Sequence, residues 1–339
     1  MTLASRLPDT LSGNSEGVIE LSGRSAAILR VREQLRRAAT TYGGVLFVAD
    51  RGIDVESVAR DLHERSTARG APFVAIDCAD DVGRLDNLVF GSTAASSTDE
   101  LESIGSLSRL AGARGGTLFL RDVAELPASV QARLARVVRD GEAFMEGRPV
   151  ALTLRLMAGA TPGIGSDVRM GSFRPDLFRR LSISRIDLPA LRDRMDDLPA
   201  LATRMLDKAC EVSDRAPLAF SQAALGLLSA LSWPGNIAEL QSFVAHIVAN
   251  LSDGSVPPNG LVQIEQLLPA LKLDRAPARF VPAGSLREAR LGFERDYITA
   301  VLRHHDWRMS AAAETLGIQR PNLYRKARQL GIRLSRATE

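Results

Sequence analysis

Cysteine is scarce in this chain of 339 residues: Cys78 and Cys210 are the only two, and they lie far apart. That excludes a disulfide framework and the paired-cysteine spacing of a zinc site, and it makes a reducing compartment the natural setting. Aromatic residues are also few, at 5%, and the four histidines, His63, His246, His304 and His305, form no ligand cluster. Nowhere do eighteen apolar residues run together, and residues 1–17 lack a basic start followed by an apolar stretch. Neither a membrane span nor a signal peptide is therefore expected, and the expectation is a cytoplasmic protein with no membrane partner.

What is present belongs to a folded protein. Hydrophobic content of 45% with 24% charge is globular rather than disordered, and the length suggests two or three domains. Residues 1–21 carry Ser, Gly, Pro and Asp without periodicity and read as a tail. Apolar residues at helical spacing (Ile28, Val31, Leu35, Ala38) come next, then the short apolar run Val45-Leu46-Phe47-Val48. The alternation repeats: a helix near 55–66, a strand at 73–76, a helix near 82–90, a strand at 117–120, a helix at 129–140 and a strand at 152–158. The segments 177–181 and 186–189 are expected to close the sheet. Strands alternating with helices predict an α/β domain with a parallel sheet, here given bounds 22–190. Beyond Pro189 three helical patterns predict a helical domain over 191–252. A Pro- and Gly-bearing stretch, 253–284, reads as a linker with one short helix at 262–271.

The last block, 285–339, carries eleven Lys or Arg against six Asp or Glu, a net +5, so the remainder of a chain of net +3 carries −2. A basic end on a nearly neutral body is the electrostatic footprint of a nucleic-acid-binding module. Within it, Trp307 to Ile332 reads as a helix-turn-helix: Ser310 caps an alanine-rich helix, Gly317 turns the chain, and Pro321 sits in the first turn of a second helix, where its missing N–H costs nothing. With the second helix in a major groove, Gln319, Arg320, Asn322 and Arg325 are candidates for base edges or flanking phosphates, and Lys326 and Arg328 for the backbone. Leu316, Ile318, Leu323 and Leu330 are the expected core.

The pieces Ala312-Ala313, Leu316-Gly317-Ile318, Leu323-Tyr324-Arg325-Lys326 and Leu330-Gly331-Ile332 resemble the Fis-type helix-turn-helix, a likeness that implies double-stranded DNA as partner and pairing of two subunits through 286–304. The body resembles the central AAA+ domain of sigma-54-dependent activators through Pro72 to Cys78, Gly115 to Leu120, Glu125-Leu126-Pro127, Phe173 to Ile183, Leu188 to Arg194 and Trp233-Pro234-Gly235-Asn236. The resemblance implies an AAA+ α/β domain with a helical lid, followed by the all-α DNA-binding domain.

It also implies where the family's chemistry would sit. The phosphate-binding stretch corresponds to Ala49 through Glu56, in which Gly52 remains, Asp54 replaces a glycine and Val55 replaces the lysine. The acidic pair after the third strand is Arg121 and Asp122, the polar sensor is Thr161, and the lid arginine is Ala238. Arg174 and Arg180 match arginines that reach a neighbour's nucleotide, and Ser92 to Thr98 replaces the loop that touches the sigma factor, without its Phe-Thr pair. These substitutions lead to the expectation of no catalytic residue, no metal, no cofactor and no enzyme activity, with the body serving oligomerisation or docking. The alternative is an ATP-dependent sigma-54 activator using ATP with magnesium through divergent motifs or in a mixed ring. Expected partners are a homodimer or higher oligomer, a complete AAA+ paralogue and RNA polymerase.

Overall fold

The computed structural model describes residues 18–79, 82–91, 101–251, 260–268, 298, 302, 307–315 and 320–330. They fall into two compact units, divided between Asp274 and Arg275.

In the first unit Ser25 caps α1 (Ala26–Thr40), its side chain accepting from Ile28 N–H, and the helix buries Ile28, Val31, Leu35 and Ala38 as the spacing predicts. β1 (Val45–Val48), α2 (Val55–Glu64), β2 (Phe73–Asp77), α3 (Val82–Phe90), α4 (Arg109–Gly112), β3 (Thr117–Arg121) and α5 (Ala128–Asp140) follow. Next come β4 (Glu142–Met145), β5 (Arg148–Ala151), β6 (Arg155–Ala160), α6 (Ile164–Met170), α7 (Pro175–Leu181) and β7 (Ser184–Asp187). Strands β2-β3-β6-β1-β7 form, in that order, a five-stranded sheet whose pairs are all parallel. Its central strands are apolar along their length because helices cover both faces: β1 and β6 are buried throughout. One core, around Leu118, Leu120, Leu134 and Phe173, fills one face, and a second, around Phe47, Leu62, Phe119 and Met157, fills the other.

Two features of the α/β domain depart from the sequence expectation. Residues 177–181 belong to helix α7 rather than to the sheet, whose edge is closed by β7 alone; Pro175 stands in the first turn of that helix, where proline favours helix over strand. The antiparallel hairpin β4–β5 was not foreseen. Its turn, Glu146-Gly147, has two consecutive positive φ angles of 51° and 78°, the conformation usually announced by Asn-Gly or Asp-Gly.

The lid follows as α8 (Leu198–Val212), β8 (Ala219–Phe220), α9 (Gln222–Ala230), α10 (Asn236–Asn250) and β9 (Leu261–Val262), with β8 and β9 paired in parallel. It has its own core, including Leu206, Trp233, Leu240 and Phe243. In place of the helix expected at 262–271, a strand occupies 261–262 and a short helix 264–268. Most of the expected linker and all but the last residues of the expected tail lie outside the described residues.

The second unit contains α11 (Met309–Thr315) and α12 (Arg320–Gln329). Ala312, Ala313, Leu323 and Ala327 are buried together with Ile298, Leu302 and Met309, and Trp307 and Leu330 pack against them. Small residues thus hold two short helices close together, as a helix-turn-helix requires. Leu316 and Ile318 lie outside the described residues. Among the described residues no helix is long and apolar enough to cross a membrane.

Candidate functional site

The carboxyl ends of β1, β3 and β6, the start of α2 and the start of α10 enclose a cleft of about 700 Å³. It collects every position singled out for nucleotide chemistry: Gly52, Asp54, Val55, Glu56, Arg121, Asp122, Thr161 and Ala238 all line it. This is the edge of an open parallel sheet at which ligands are generally bound.

The loop between β1 and α2 is held from above. Gly52 has φ of +83°, and a Cβ there would stand 2.0 Å from the carbonyl oxygen of Gly235, so only glycine fits. Its own carbonyl accepts the N–H of Ala238 at 2.9 Å. Asn236 is fully buried, donates Nδ2 to the Arg51 carbonyl at 2.7 Å and accepts from Leu191 N–H at 2.9 Å. The Trp-Pro-Gly-Asn block is therefore a clamp that fastens the lid to the loop, a role not legible in the motif itself.

Side chains at the floor are paired to one another. Asp54 caps α2, accepting from both the N–H and the hydroxyl of Ser57. Val55 turns its methyls toward Gly159, where its Cγ1 lies 3.3 Å from the place a Cβ would take. Arg121 is bound by Glu56 and reaches Asp77 at 3.4 Å, while Arg60 holds Glu56 at 2.7 Å. Burial works to raise the Glu56 pKa, but the hydrogen bonds from Arg60 and Arg121 outweigh it and hold the carboxyl below its ordinary value. Glu20, missed in the sequence, lines the cleft and accepts Asp54 N–H at 3.3 Å; burial, with the nearby Asp54 charge, pushes its carboxyl up.

Six carboxylates line the cleft (Glu20, Asp50, Asp54, Glu56, Asp122 and Glu125) against two guanidiniums, Arg51 and Arg121. A bare triphosphate meets repulsion here, whereas a triphosphate carrying a divalent cation meets oxygen donors. Magnesium is commonly held by one or two carboxylates plus the phosphates themselves. Among the described residues no group of three or more His, Cys, Asp or Glu side chains is placed to hold a metal ion by itself, and Glu56 is already paired with Arg60 and Arg121.

Just before α7, Arg174 pairs with Asp176 at 2.6 Å, and with Arg180 it lines a groove of about 350 Å³ against α5. Both side chains are exposed. In the second unit, α12 presents Arg320, Asn322 and Arg325 on its exposed surface with Lys326 half-buried. Arg325 donates to the side-chain Oδ1 of Asn322 at 3.3 Å, and the Arg320 guanidinium lies 5.8 Å from the Tyr324 ring. Gln319, the side chain of Arg328 and the segment Ser92 to Thr98 lie outside the described residues.

Three family models match in succession: the sigma-54 interaction domain over residues 21–187, the AAA+ ATPase lid domain over 192–275, and the bacterial regulatory protein, Fis family, over 292–330. The nitric oxide reductase transcription regulator NorR1 of Cupriavidus necator is 34% identical, over 92% of this chain and 64% of its own length. The alginate biosynthesis transcriptional regulatory protein AlgB of Pseudomonas aeruginosa is 32% identical, over 92% and 68%. The DNA-binding transcriptional regulator NtrC of Rhizobium meliloti is 30% identical, over 98% and 74%. Against the first of these the chain spans slightly under two thirds of the relative. Crystal structures of NtrX from Brucella abortus in complex with ATP and with ADP superpose with TM-scores of 0.63 and 0.65 at 30% identity, covering 91% of this chain and 69% of NtrX.

These matches correct the expectation of a body without cofactor or enzyme activity, since a protein of this fold and likeness is seen with ATP and with ADP. The physical reason lies in how phosphates are held. A strand-to-helix turn offers a shaped cleft for phosphates, and here the turn, its glycine and the lid clamp are all in place, although the N–H groups of Asp54, Val55 and Ser57 are taken by Glu20, Ile53 and Asp54.

Proposed function

The chain belongs to the family of sigma-54-interacting AAA+ transcriptional regulators with a Fis-type DNA-binding end, and we propose that it is an ATP-dependent activator of sigma-54 RNA polymerase working with divergent nucleotide-site motifs. The observation that carries this is the 700 Å³ cleft between sheet and lid, lined by the phosphate-loop, strand-end, sensor and lid positions together.

In this reading the loop from Ala49 to Glu56 lies against the phosphates, and magnesium, arriving with the nucleotide and held mainly by its phosphates beside Glu125, would neutralise their charge. Asp122 orients water as a base. Arg121 balances the carboxylates at the strand end, and Thr161 and Ala238 occupy the sensor positions. Arg174 and Arg180 reach the nucleotide of a neighbouring subunit, so activity requires a ring. The regions 22–190, 191–252 and 285–339 serve as AAA+ body, lid and DNA-binding domain, with 253–284 as linker. DNA is double-stranded operator, bound by paired subunits through Gln319, Arg320, Asn322, Arg325, Lys326 and Arg328. Val55, at the lysine position, favours a mixed ring in which a complete paralogue holds its nucleotide more tightly while this chain supplies the arginines.

The test is open-complex formation by sigma-54 polymerase with the purified full-length chain, alone and mixed with a complete paralogue, alongside ATP hydrolysis. Hydrolysis that rises with protein concentration and drives open-complex formation is expected. Absence of both, alone and in the mixture, would overturn the proposal.

A further inference from the structure

Residues 18–25 hold a single tight turn, Ile19–Leu21, and pair with no strand, so their backbone groups need partners from elsewhere. Charged side chains supply them. Buried Arg194 donates to the Glu20 carbonyl at 2.6 Å and to the Ser22 carbonyl at 3.4 Å. Asp197 stands at the N-cap of α8 and makes no capping bond there; its Oδ1 accepts instead from Arg24 N–H at 2.6 Å and Ser25 N–H at 2.9 Å. Arg204, on α8, donates to the Ser22 hydroxyl, and Arg32, on α1, donates to the Leu21 carbonyl at 2.6 Å. The segment is thus a strap, fastened by three charged side chains at the start of the lid and by one on the body.

The strap delivers one side chain to the cleft. Glu20 is 6% exposed, and its Oε1 accepts the Asp54 N–H at 3.3 Å. That N–H lies immediately before α2, a helix of ten residues whose start would attract an anion. The anion it meets belongs to the chain itself. Ser57 N–H is likewise taken by the Asp54 carboxylate at 3.2 Å.

The arrangement does not serve stability. Two carboxylates are brought together, and burial of Glu20, followed by the charge of Asp54, pushes the Glu20 carboxyl up, so folding opposes the ionised form. A side chain held where the fold disfavours its charge marks a place where function outweighs stability.

We propose that Glu20 is an internal competitor of the cleft's ligand: its carboxylate holds the Asp54 N–H in the place of a phosphate oxygen, and a phosphate must displace it to enter the loop. Because the strap is fastened to the lid side through Arg194, Asp197 and Arg204, displacing Glu20 loosens residues 20–25 as well. That the displacing anion is a nucleotide rests on the proposed function. That an anion displaces Glu20 does not, and inorganic tripolyphosphate separates the two.

The experiment is calorimetric titration of the full-length chain with ATP and with tripolyphosphate, each with magnesium, for the unaltered protein, Glu20→Gln and Glu20→Ala. Glu20→Ala frees the N–H and is expected to raise affinity for both ligands about tenfold, the scale of one hydrogen bond to a charged group. Glu20→Gln, which removes the charge and keeps the shape, is expected to raise it about threefold. Unchanged affinities would overturn the proposal and leave the activator reading standing. Weaker ATP binding with tripolyphosphate unaffected would also overturn it, since Glu20 would then contact the nucleoside. Should Glu20→Ala not fold, Arg204→Gln, which loosens the strap away from the cleft, is expected to raise both affinities about twofold. Hydrogen exchange gives a readout that a merely structural Glu20 would not move. Saturating tripolyphosphate is expected to slow exchange at 54–57 and to speed it at 20–25, each about fivefold; slower exchange at both would contradict displacement. Binding of neither ligand by the unaltered chain or by any variant would overturn the activator reading and the competitor together.

Discussion

The sheet-edge cleft and helix α12 both face a polyanion in the proposed function, yet they meet it with opposite charge. The cleft offers six carboxylates and two guanidiniums, whereas α12, Arg320 to Gln329, contains three arginines and a lysine with no acid. For DNA the attraction is direct and sequence-independent at long range, so binding weakens steeply with salt. For a nucleotide the cleft relies on backbone and shape, and on a divalent cation to bring the phosphates past its acids. The same ligand chemistry is thus served once by side-chain charge and once by a main-chain cradle. Only the first is visible residue by residue.

The strongest way to break this contrast is at α12. Replacing Arg320 and Arg325 together with alanine is expected to weaken operator binding about a hundredfold, since a good arginine contact is worth roughly 1–3 kcal/mol. Fluorescence anisotropy over a salt series checks it, and the slope with salt should flatten; unchanged affinity removes the recognition-helix assignment.

In the cleft, Gly52→Ala places a Cβ against the Gly235 carbonyl at a φ that side chains rarely adopt. It is expected to cost about 2–3 kcal/mol, read as a lower urea midpoint and faster hydrogen exchange at the start of α10. A midpoint equal to that of the unaltered protein would mean the lid is not clamped to the loop.

Restoring charge sharpens the comparison from the other side. Val55→Lys is expected to raise nucleotide affinity about tenfold, the scale of one hydrogen bond to a charged group, as measured by titration calorimetry. No gain would show that side-chain charge at that position is irrelevant to this cradle.

The smallest effect concerns Glu20. Its carboxyl is pushed up, by burial first and by Asp54 second, so the folded state holds the proton more tightly than the unfolded chain. Stability from this group is full in acid and is lost as pH rises through the folded-state value. Glu20→Gln is therefore expected to raise the melting temperature slightly at neutral pH and to make no difference in acid. A gain that persists unchanged into acid contradicts the assignment.

Much of the fold was legible because parallel strands buried on both faces announce themselves as apolar runs, as Val45 to Val48 and Thr117 to Leu120 do. The helix-turn-helix was legible because its small and basic residues are contiguous. The hairpin at 142–151 was not, since Glu-Gly carries a weaker turn signal than Asn-Gly. The structure brings the expected cleft residues together, but substitutions at Val55 and Arg121 are visible in a sequence while the clamp of Asn236 on the Arg51 carbonyl, 185 residues away, is not. Glu20 was missed for the same reason: the N–H it takes lies 34 residues distant, and a buried polar side chain looks like any other until its partner is placed.

The most direct measurement is calorimetric titration of ATP into the full-length protein with magnesium and again after chelation. Saturable binding with magnesium, lost when the metal is removed, is the expected result, because the acid-lined cleft admits the phosphates only with their cation. No binding at millimolar nucleotide in the presence of magnesium, with no change in melting temperature, would contradict it.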